Sequence, residues 1–292
     1  MSRLLIGLAG LGFELEPAHP DGRLQLSPEY APFLQPTGAL EPCARYVVHP
    51  ATGEPLLKPL RGEPLWACPT WRLGTTADDA TVLEIHSVRE RSWKPVANLR
   101  ADFSAGAIQS WSGRHAEPSD LALNYPYDQA ILMNRMAWFG AGVLHASGID
   151  DGGRGMVFAG RSGAGKTTIA RLWREAGAHL LNDDRVIVRA ERHRVILASS
   201  PWRGEERQLA AATLPLQAIF HLRQSEKNRL TPVRGAESLA RLLANTAAPF
   251  YLPGSMERLL ESWTAVAESV PLFELEFRPE ASAIELCRAA LA

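Results

Sequence analysis

Cysteine is scarce in this chain of 292 residues: Cys43, Cys68 and Cys287 are far apart, odd in number and form no C-x-x-C pair. Neither a disulfide framework nor a thiolate zinc site organises such a sequence. Cys68 and Cys287 are expected to behave as small apolar residues. Net charge is also nearly absent, at -1, so there is no electrostatic case for a nucleic-acid partner. No apolar run is long enough to span a bilayer, and no membrane partner is expected. The opening Met1–Phe13 carries one arginine, is broken by Gly7, Gly10 and Gly12, and runs into no small-x-small cleavage site. It reads as a strand, not a leader, and the cytoplasm is the expected compartment. Repeats and low-complexity tracts are missing too. What remains is 46% hydrophobic and 22% charged, enough apolar material for one large domain or two modest ones.

The chain changes character near residue 120. Before it, strand-like runs such as Arg45–His49 and Thr81–His86 are separated by a stretch punctuated by Pro50, Pro55, Pro59, Pro64 and Pro69. This predicts a β-rich domain over 1–120 with long loops. Trp66, Trp71, Trp93 and Trp111 within it suit a core better than a partner surface. The second domain, 121–292, opens with a bridging helix over 121–139, where Tyr127, Ile131, Leu132, Arg135 and Met136 recur at helical spacing. Gly142–Ile149 then reads as a strand, and Asp151-Gly152-Gly153 as a turn. Further strands are predicted at Arg185–Arg189, Arg194–Leu197, Leu216–Leu222 and Leu272–Phe277. Helices are predicted at Ala236–Asn245, Ser255–Ala267 and Pro279–Leu291. Hairpin-linked strands outnumber helices, so a mixed sheet is expected in place of repeated βα units.

The most specific signal is Gly160-Arg161-Ser162-Gly163-Ala164-Gly165-Lys166-Thr167-Thr168. It satisfies G-x-x-x-x-G-K-[ST] at every fixed position. The apolar run Met156–Ala159 precedes it as a buried strand, and Ile169, Ala170, Leu172 and Trp173 follow at helical spacing, ended by Gly177. Glycines let backbone N–H groups turn onto phosphate oxygens, and the helix start adds positive potential. Lys166 is placed to reach the terminal phosphates and the Thr167 hydroxyl to ligate a divalent metal. A Gly-rich turn with no ligand is the alternative, and the agreement of motif and context weighs against it.

Asp183-Asp184 ends the next apolar segment, Leu180–Leu181. Carboxylates at a strand end are what a phosphate-loop enzyme uses to hold its metal. On a regular strand the two would face opposite sides. In a following turn both can face the phosphates, one holding metal and the other accepting a proton from an attacking hydroxyl. A solvated acidic turn is the alternative.

Three segments in order carry a family resemblance: Gly142–Gly148 with His145, Phe158–Thr168, and Leu181–Val186 with Asp183-Asp184. Residues 140–292 thereby resemble the catalytic domain of HPr kinase/phosphorylase. They are more similar still to the HPr-kinase-like serine kinases found beside peptide-modification and PqqD-type genes in bacteria. The resemblance implies an α/β mixed sheet of the phosphoenolpyruvate-carboxykinase-like P-loop fold, preceded by a β-rich domain. It implies ATP and Mg2+, with Gly160, Ser162 and Gly163 to Thr168 around the phosphates. Lys166 would meet the β- and γ-phosphates and Thr167 the magnesium. Asp183 would be the general base and Asp184 a metal partner, roles that two coupled carboxylates can exchange. His145 would lie near the transferred phosphate.

The Gly- and Arg-containing signature that serves phosphorolysis in HPr kinase/phosphorylase is not recognisable. Ser199–Arg207, containing Pro201-Trp202-Arg203-Gly204-Glu205, stands in its place. Phosphorylase activity and the protein HPr as acceptor therefore do not come with the resemblance. Arg203 or Arg207 is the candidate cation for the transferring phosphoryl, and Glu205 the candidate to complete the metal shell. The function expected is transfer of the γ-phosphate of ATP to a serine hydroxyl on a peptide or small protein. A non-catalytic ATP sensor and a small-molecule kinase are the rivals. Self-association is expected from the oligomeric habit of the family.

Overall fold

The computed structural model describes residues 3–50, 55–112, 117–205, 211–247, 249 and 252–291. It divides into two compact units, Met1–Trp138 with Pro249–Met256, and Phe139–Ala248 with Glu257–Ala292.

The first unit is built on one mixed sheet. Its strands among the described residues are β1 (Leu4–Leu8), β2 (Leu11–Pro17), β3 (Leu34–Gln35), β4 (Pro42–His49), β5 (Trp66–Ala67), β6 (Trp71–Thr75), β7 (Thr81–Ser87), β8 (Ser92–Leu99) and β9 (Ala105–Gln109), in the spatial order β3-β1-β2-β4-β9-β8-β7-β6-β5. The opening segment is thus a hairpin, not a single strand. Ala9 and Gly10 both take positive φ, the turn geometry that matches strand twist. β2 and β9 flank β4 in parallel, and the remaining neighbours are antiparallel. Trp111 is fully buried, whereas Trp66, Trp71 and Trp93 are half-buried and cover one another or Arg72. Cys68 departs from expectation. It is half-exposed, with its sulfur 3.3 Å from the Thr70 hydroxyl, while Cys287 is buried as expected; all three thiols are free. Helix α1 (Tyr127–Ala137) starts later than the 121 expected. Tyr125 precedes Pro126, and the proline ring disfavours helical backbone there. Tyr30 donates to Asp128 at 2.8 Å and Arg135 donates to the Cys43 carbonyl at 2.9 Å, so α1 belongs to this unit.

The second unit carries strands β10 (Ala141–Asp150), β11 (Gly155–Ala159), β12 (His179–Asn182), β13 (Arg185–Glu191), β14 (Arg194–Ala198), β15 (Thr213–Gln224), β16 (Arg229–Val233) and β17 (Leu272–Phe277). Its helices are α2 (Lys166–Glu175), α3 (Ala236–Ala244), α4 (Pro253–Ser269, from Glu257 onward in this unit) and α5 (Ala281–Ala289). β10 and β15 are long enough to change neighbours along their length. β10 pairs first with β13 and then with β11 and β12; β15 pairs first with β14 and then with β11 and β17. With β13 joined to β14, the pairing closes into a circuit, β10-β13-β14-β15-β11. The mixed sheet expected from the sequence is present. β16, which sequence periodicity did not reveal, is an edge strand on β17. Pro232 within it is tolerated because an edge needs fewer ladder donors.

β11, β15 and β17 run parallel, so their C-terminal ends lie together. α2 leaves the end of β11 and lays Ile169, Ala170 and Trp173 on the sheet beside Phe158, Phe220 and Leu275, with Ile284 and Cys287 of α5 completing the cluster. The rings of Phe158 and Phe220 stack at 4.9 Å, and Trp173 lies 5.9 Å from Phe158. Trp173 therefore anchors the helix that follows the glycine-rich loop. Trp173→Ala is expected to cost about 3–5 kcal/mol, read as a lower denaturation midpoint. A loss below about 1 kcal/mol would contradict this anchoring role.

Candidate active site

The loop between β11 and α2 is Gly160–Gly165. Gly165 shows why glycine is needed. Its φ is +103, and an added Cβ would lie 2.6 Å from the ring of Phe277, the last residue of β17. The loop is braced from β15 as well, where the Gln224 side-chain amide donates to the Gly163 carbonyl at 2.7 Å. Lys166 folds back over the loop and donates to the Gly160 carbonyl at 2.8 Å. Burial holds the Lys166 ammonium below the usual lysine pKa, an effect opposed by the charge of Asp184.

Topology brings the other polar groups to this end. β10 runs antiparallel to β11 with Ala146 opposite Ala159, which sets His145 beside the loop. His145 is also opposite Arg185 at the start of β13, so the Asp183-Asp184 bend between β12 and β13 falls at the same end. Asn182, wholly buried, shapes that bend. Its carbonyl oxygen accepts from the Asp184 and Arg185 amides at 2.9 and 3.1 Å, and its NH2 donates to the Ser200 and Trp202 carbonyls at 3.0 and 3.2 Å. One amide thus ties the acidic bend to the turn after β14.

The two carboxylates occupy different environments. Asp183 accepts from the Gly204 amide at 2.9 Å through one oxygen and from the Glu205 amide at 2.8 Å through the other. Gly204 permits this approach, since a Cβ there would lie 2.8 Å from an Asp183 oxygen. Ser147 Oγ donates to the Asp183 carbonyl at 3.3 Å. Asp184 meets His145 Nδ1 at 3.0 Å and pairs with the Arg185 guanidinium. The hydrogen bond from His145, with the charges of Arg185 and Lys166, holds its pKa below the usual carboxylate range against the opposing effect of burial.

A depressed folded-state pKa gives stability that is present above the unfolded value, about 3.9, and lost as pH falls through the folded one. Wild-type protein is expected to lose this contribution as the medium is acidified below that range. Asp184→Asn should show a shallower acid-side decline in urea midpoint. Identical slopes for the two proteins would contradict the assignment.

One open cleft of ≈ 400 Å³ is lined by His145, Ser162, Gly163, Gly165, Lys166, Thr167, Thr168, Asp183, Asp184 and Glu205 from the sequence reading, together with Gly204 and Gln224. Gly160 supplies its carbonyl to Lys166, and the Ala164 amide closes the loop onto Arg161 at 3.0 Å. Arg203 is half-buried and is not among the described residues that line the cleft. Arg207 lies outside the described residues. Sequence reasoning missed Asn182, Ser147, Gly204 and Gln224. The signal for Asn182 was a polar amide placed directly between an apolar run and two acids.

Among the described residues, no group of three or more His, Cys, Asp or Glu side chains is arranged to hold a metal ion. Thr167, Asp184 and Glu205 nevertheless border the same cleft. This is a hard oxygen set of the size magnesium uses when phosphate oxygens and water complete its shell.

No protein-family model matches the chain, and no curated protein matches it in sequence. Among solved structures, the Hpr(Ser) kinase/phosphatase from Coxiella burnetii is similar to part of it, at 13% identity over 51% of this chain and 97% of that chain, with a TM-score of 0.32. What the site can do follows from its own residues. No helix among the described residues is long and apolar enough to cross a membrane.

Proposed function

We propose that the chain is an ATP- and magnesium-dependent kinase that moves the γ-phosphoryl group to a hydroxyl, serine foremost, of a peptide or small protein. The observation that carries this reading is that Lys166, Thr167 and Asp183 line a single cleft of ≈ 400 Å³. The second unit is read accordingly as a phosphoenolpyruvate-carboxykinase-like P-loop fold, supported by the mixed sheet around the loop.

Loop amides and the start of α2 bind and orient the triphosphate. Lys166 sets a positive charge at the loop mouth, facing the β- and γ-phosphates. Magnesium, when bound, would supply charge neutralisation for the phosphates. Thr167, Asp184 and Glu205, which line the cleft, are the residues that would hold it. Asp183, fixed by two backbone amides, accepts the proton of the acceptor hydroxyl. The hydroxyl oxygen bonds to the γ-phosphorus as the bond to the bridging oxygen breaks, and ADP leaves. His145 holds Asp184 in place. Such catalysis is mainly positioning and charge neutralisation.

Incubation of the full chain with γ-labelled ATP, magnesium and serine peptides tests this directly. Label on a peptide hydroxyl, abolished by chelator, is expected. ATP binding without transfer to any hydroxyl would favour a nucleotide sensor instead. Transfer to small hydroxy compounds alone would make it a small-molecule kinase.

A further inference from the structure

Asn182 and Asp183 are neighbours in sequence, and both side chains hold the turn that follows β14. They hold it by opposite polarities. The Asn182 NH2 donates to the Ser200 and Trp202 carbonyls at 3.0 and 3.2 Å. The Asp183 carboxylate accepts from the Gly204 and Glu205 amides at 2.9 and 2.8 Å. We infer that Asn182 is a positioning residue for phosphoryl transfer: by fixing the turn, it fixes the two amides that orient the Asp183 carboxylate. The inference rests on the kinase reading of the same site, with Asp183 as the base.

Adjacent side chains on a regular strand face opposite sides of the sheet. The bend after β12 breaks that alternation and brings both residues onto one turn. Asn182 is wholly buried, and both ends of its amide are engaged. Two N–H groups on one side and two carbonyls on the other leave a single orientation that satisfies all four. The two ends of the side chain therefore have separate tasks. The oxygen forms the bend, through the Asp184 and Arg185 amides, and the NH2 joins the bend to the turn. Ser200 adds a second tie between the same segments, its hydroxyl donating to the Arg185 carbonyl at 2.7 Å. The Asp184 carboxylate, by contrast, is held by His145 and Arg185.

The circuit can be opened from either end. Asn182→Ser opens it from within: a serine hydroxyl still accepts from the backbone just ahead, as in an ST turn, but lacks the NH2 that reaches Ser200 and Trp202. Gly204→Ala opens it from outside. A Cβ there would lie 2.8 Å from an Asp183 oxygen, and the carboxylate is the flexible partner in that contact. Gly204 is exposed, so the substitution displaces the carboxylate without disturbing the core.

Both variants are assayed as full chains with Mg-ATP and serine peptides. Each is expected to lower kcat by about a hundredfold, the scale of a misplaced catalytic group, with peptide KM and affinity for metal-free ATP unchanged. Combined with Asp183→Asn, neither should lower the rate much further, because the group they position is already gone. An Asn182 that served the fold alone would lower the denaturation midpoint and leave kcat intact in the folded protein. Wild-type kcat in folded Asn182→Ser or in Gly204→Ala overturns the inference, as does a loss that multiplies with that of Asp183→Asn. If Asn182→Ser does not fold, Gly204→Ala decides: lowered kcat upholds the route through the turn, and wild-type kcat closes it. Amide exchange at Gly204 and Glu205, followed by NMR without ATP or magnesium, gives a readout independent of activity. Both amides should exchange faster in Asn182→Ser and in Asp183→Asn than in the wild type. If the wild type phosphorylates no peptide, the kinase reading fails, while faster exchange in Asn182→Ser still upholds the hold of Asn182 on Asp183. Unchanged exchange overturns it.

Discussion

Asp183→Asn is expected to slow phosphoryl transfer by about a hundred- to ten-thousandfold, the usual span for loss of a general base, while Mg-ATP still binds. The carboxylate sits where both oxygens accept backbone N–H groups, from Gly204 and Glu205. A carboxylate oxygen carries two lone pairs, so accepting a backbone amide does not by itself prevent the group from taking a proton. Asparagine is close in shape but turns one acceptor into a donor. One of those amides would then face an NH2 group, at a cost of about 1–3 kcal/mol in the local turn. Unfolding midpoint and Mg-ATP affinity must therefore be measured beside the rate. Near-wild-type transfer by a folded, ATP-binding Asp183→Asn protein would remove Asp183 from its role.

Lys166→Ala is the second large effect. Removing the cation at the loop mouth is expected to lower kcat by about a hundred- to thousandfold, as for a lost transition-state donor, and to weaken Mg-ATP binding as well. The loop itself should hold its shape, because Gln224 still braces Gly163 and Phe277 still packs under Gly165. The two variants differ in a readable way: Lys166→Ala impairs binding and transfer, Asp183→Asn transfer alone. Isothermal titration with a non-hydrolysable ATP analogue, set beside single-turnover rates, separates them. Unaltered affinity and rate in Lys166→Ala would mean that the phosphates lie elsewhere.

The glycine-rich loop and the elements on either side of it were legible in the sequence because their information is local. Gly160, Gly163, Gly165, Lys166 and Thr167 lie within eight residues, and the strand before them and the helix after them follow from hydrophobic spacing. Asp183 and Asp184 could be named but not oriented. Their arrangement depends on Asn182 reaching the carbonyls of Ser200 and Trp202, and on amides at Gly204 and Glu205, all distant in sequence. Gly204 looks like any loop glycine until the Asp183 carboxylate is seen against it. Arg203 had charge and proximity in sequence, yet the turn that directs the Gly204 and Glu205 amides inward does not set Arg203 on the cleft wall.

The same division runs through the fold. α2, β13 and β14 follow from periodicity, and the end of α2 from Gly177, whose φ is +87. β5 has two residues, and β16 contains Pro232, so neither leaves a clear pattern. The parallel joins β2–β4–β9 and the circuit closed by β10 and β15 are choices among non-local partners, which no single segment encodes.

The central claim is that one cleft both binds ATP and passes its γ-phosphate to a hydroxyl through Asp183. It is tested most directly by γ-labelled ATP offered with magnesium and the same serine peptides to wild-type, Asp183→Asn and Lys166→Ala proteins in parallel. Label on the serine hydroxyl is predicted with the wild-type protein, with loss of transfer in both variants and retained nucleotide binding in Asp183→Asn. Equal labelling by wild-type and Asp183→Asn proteins, or nucleotide binding by the wild type with no hydroxyl labelled, would contradict it.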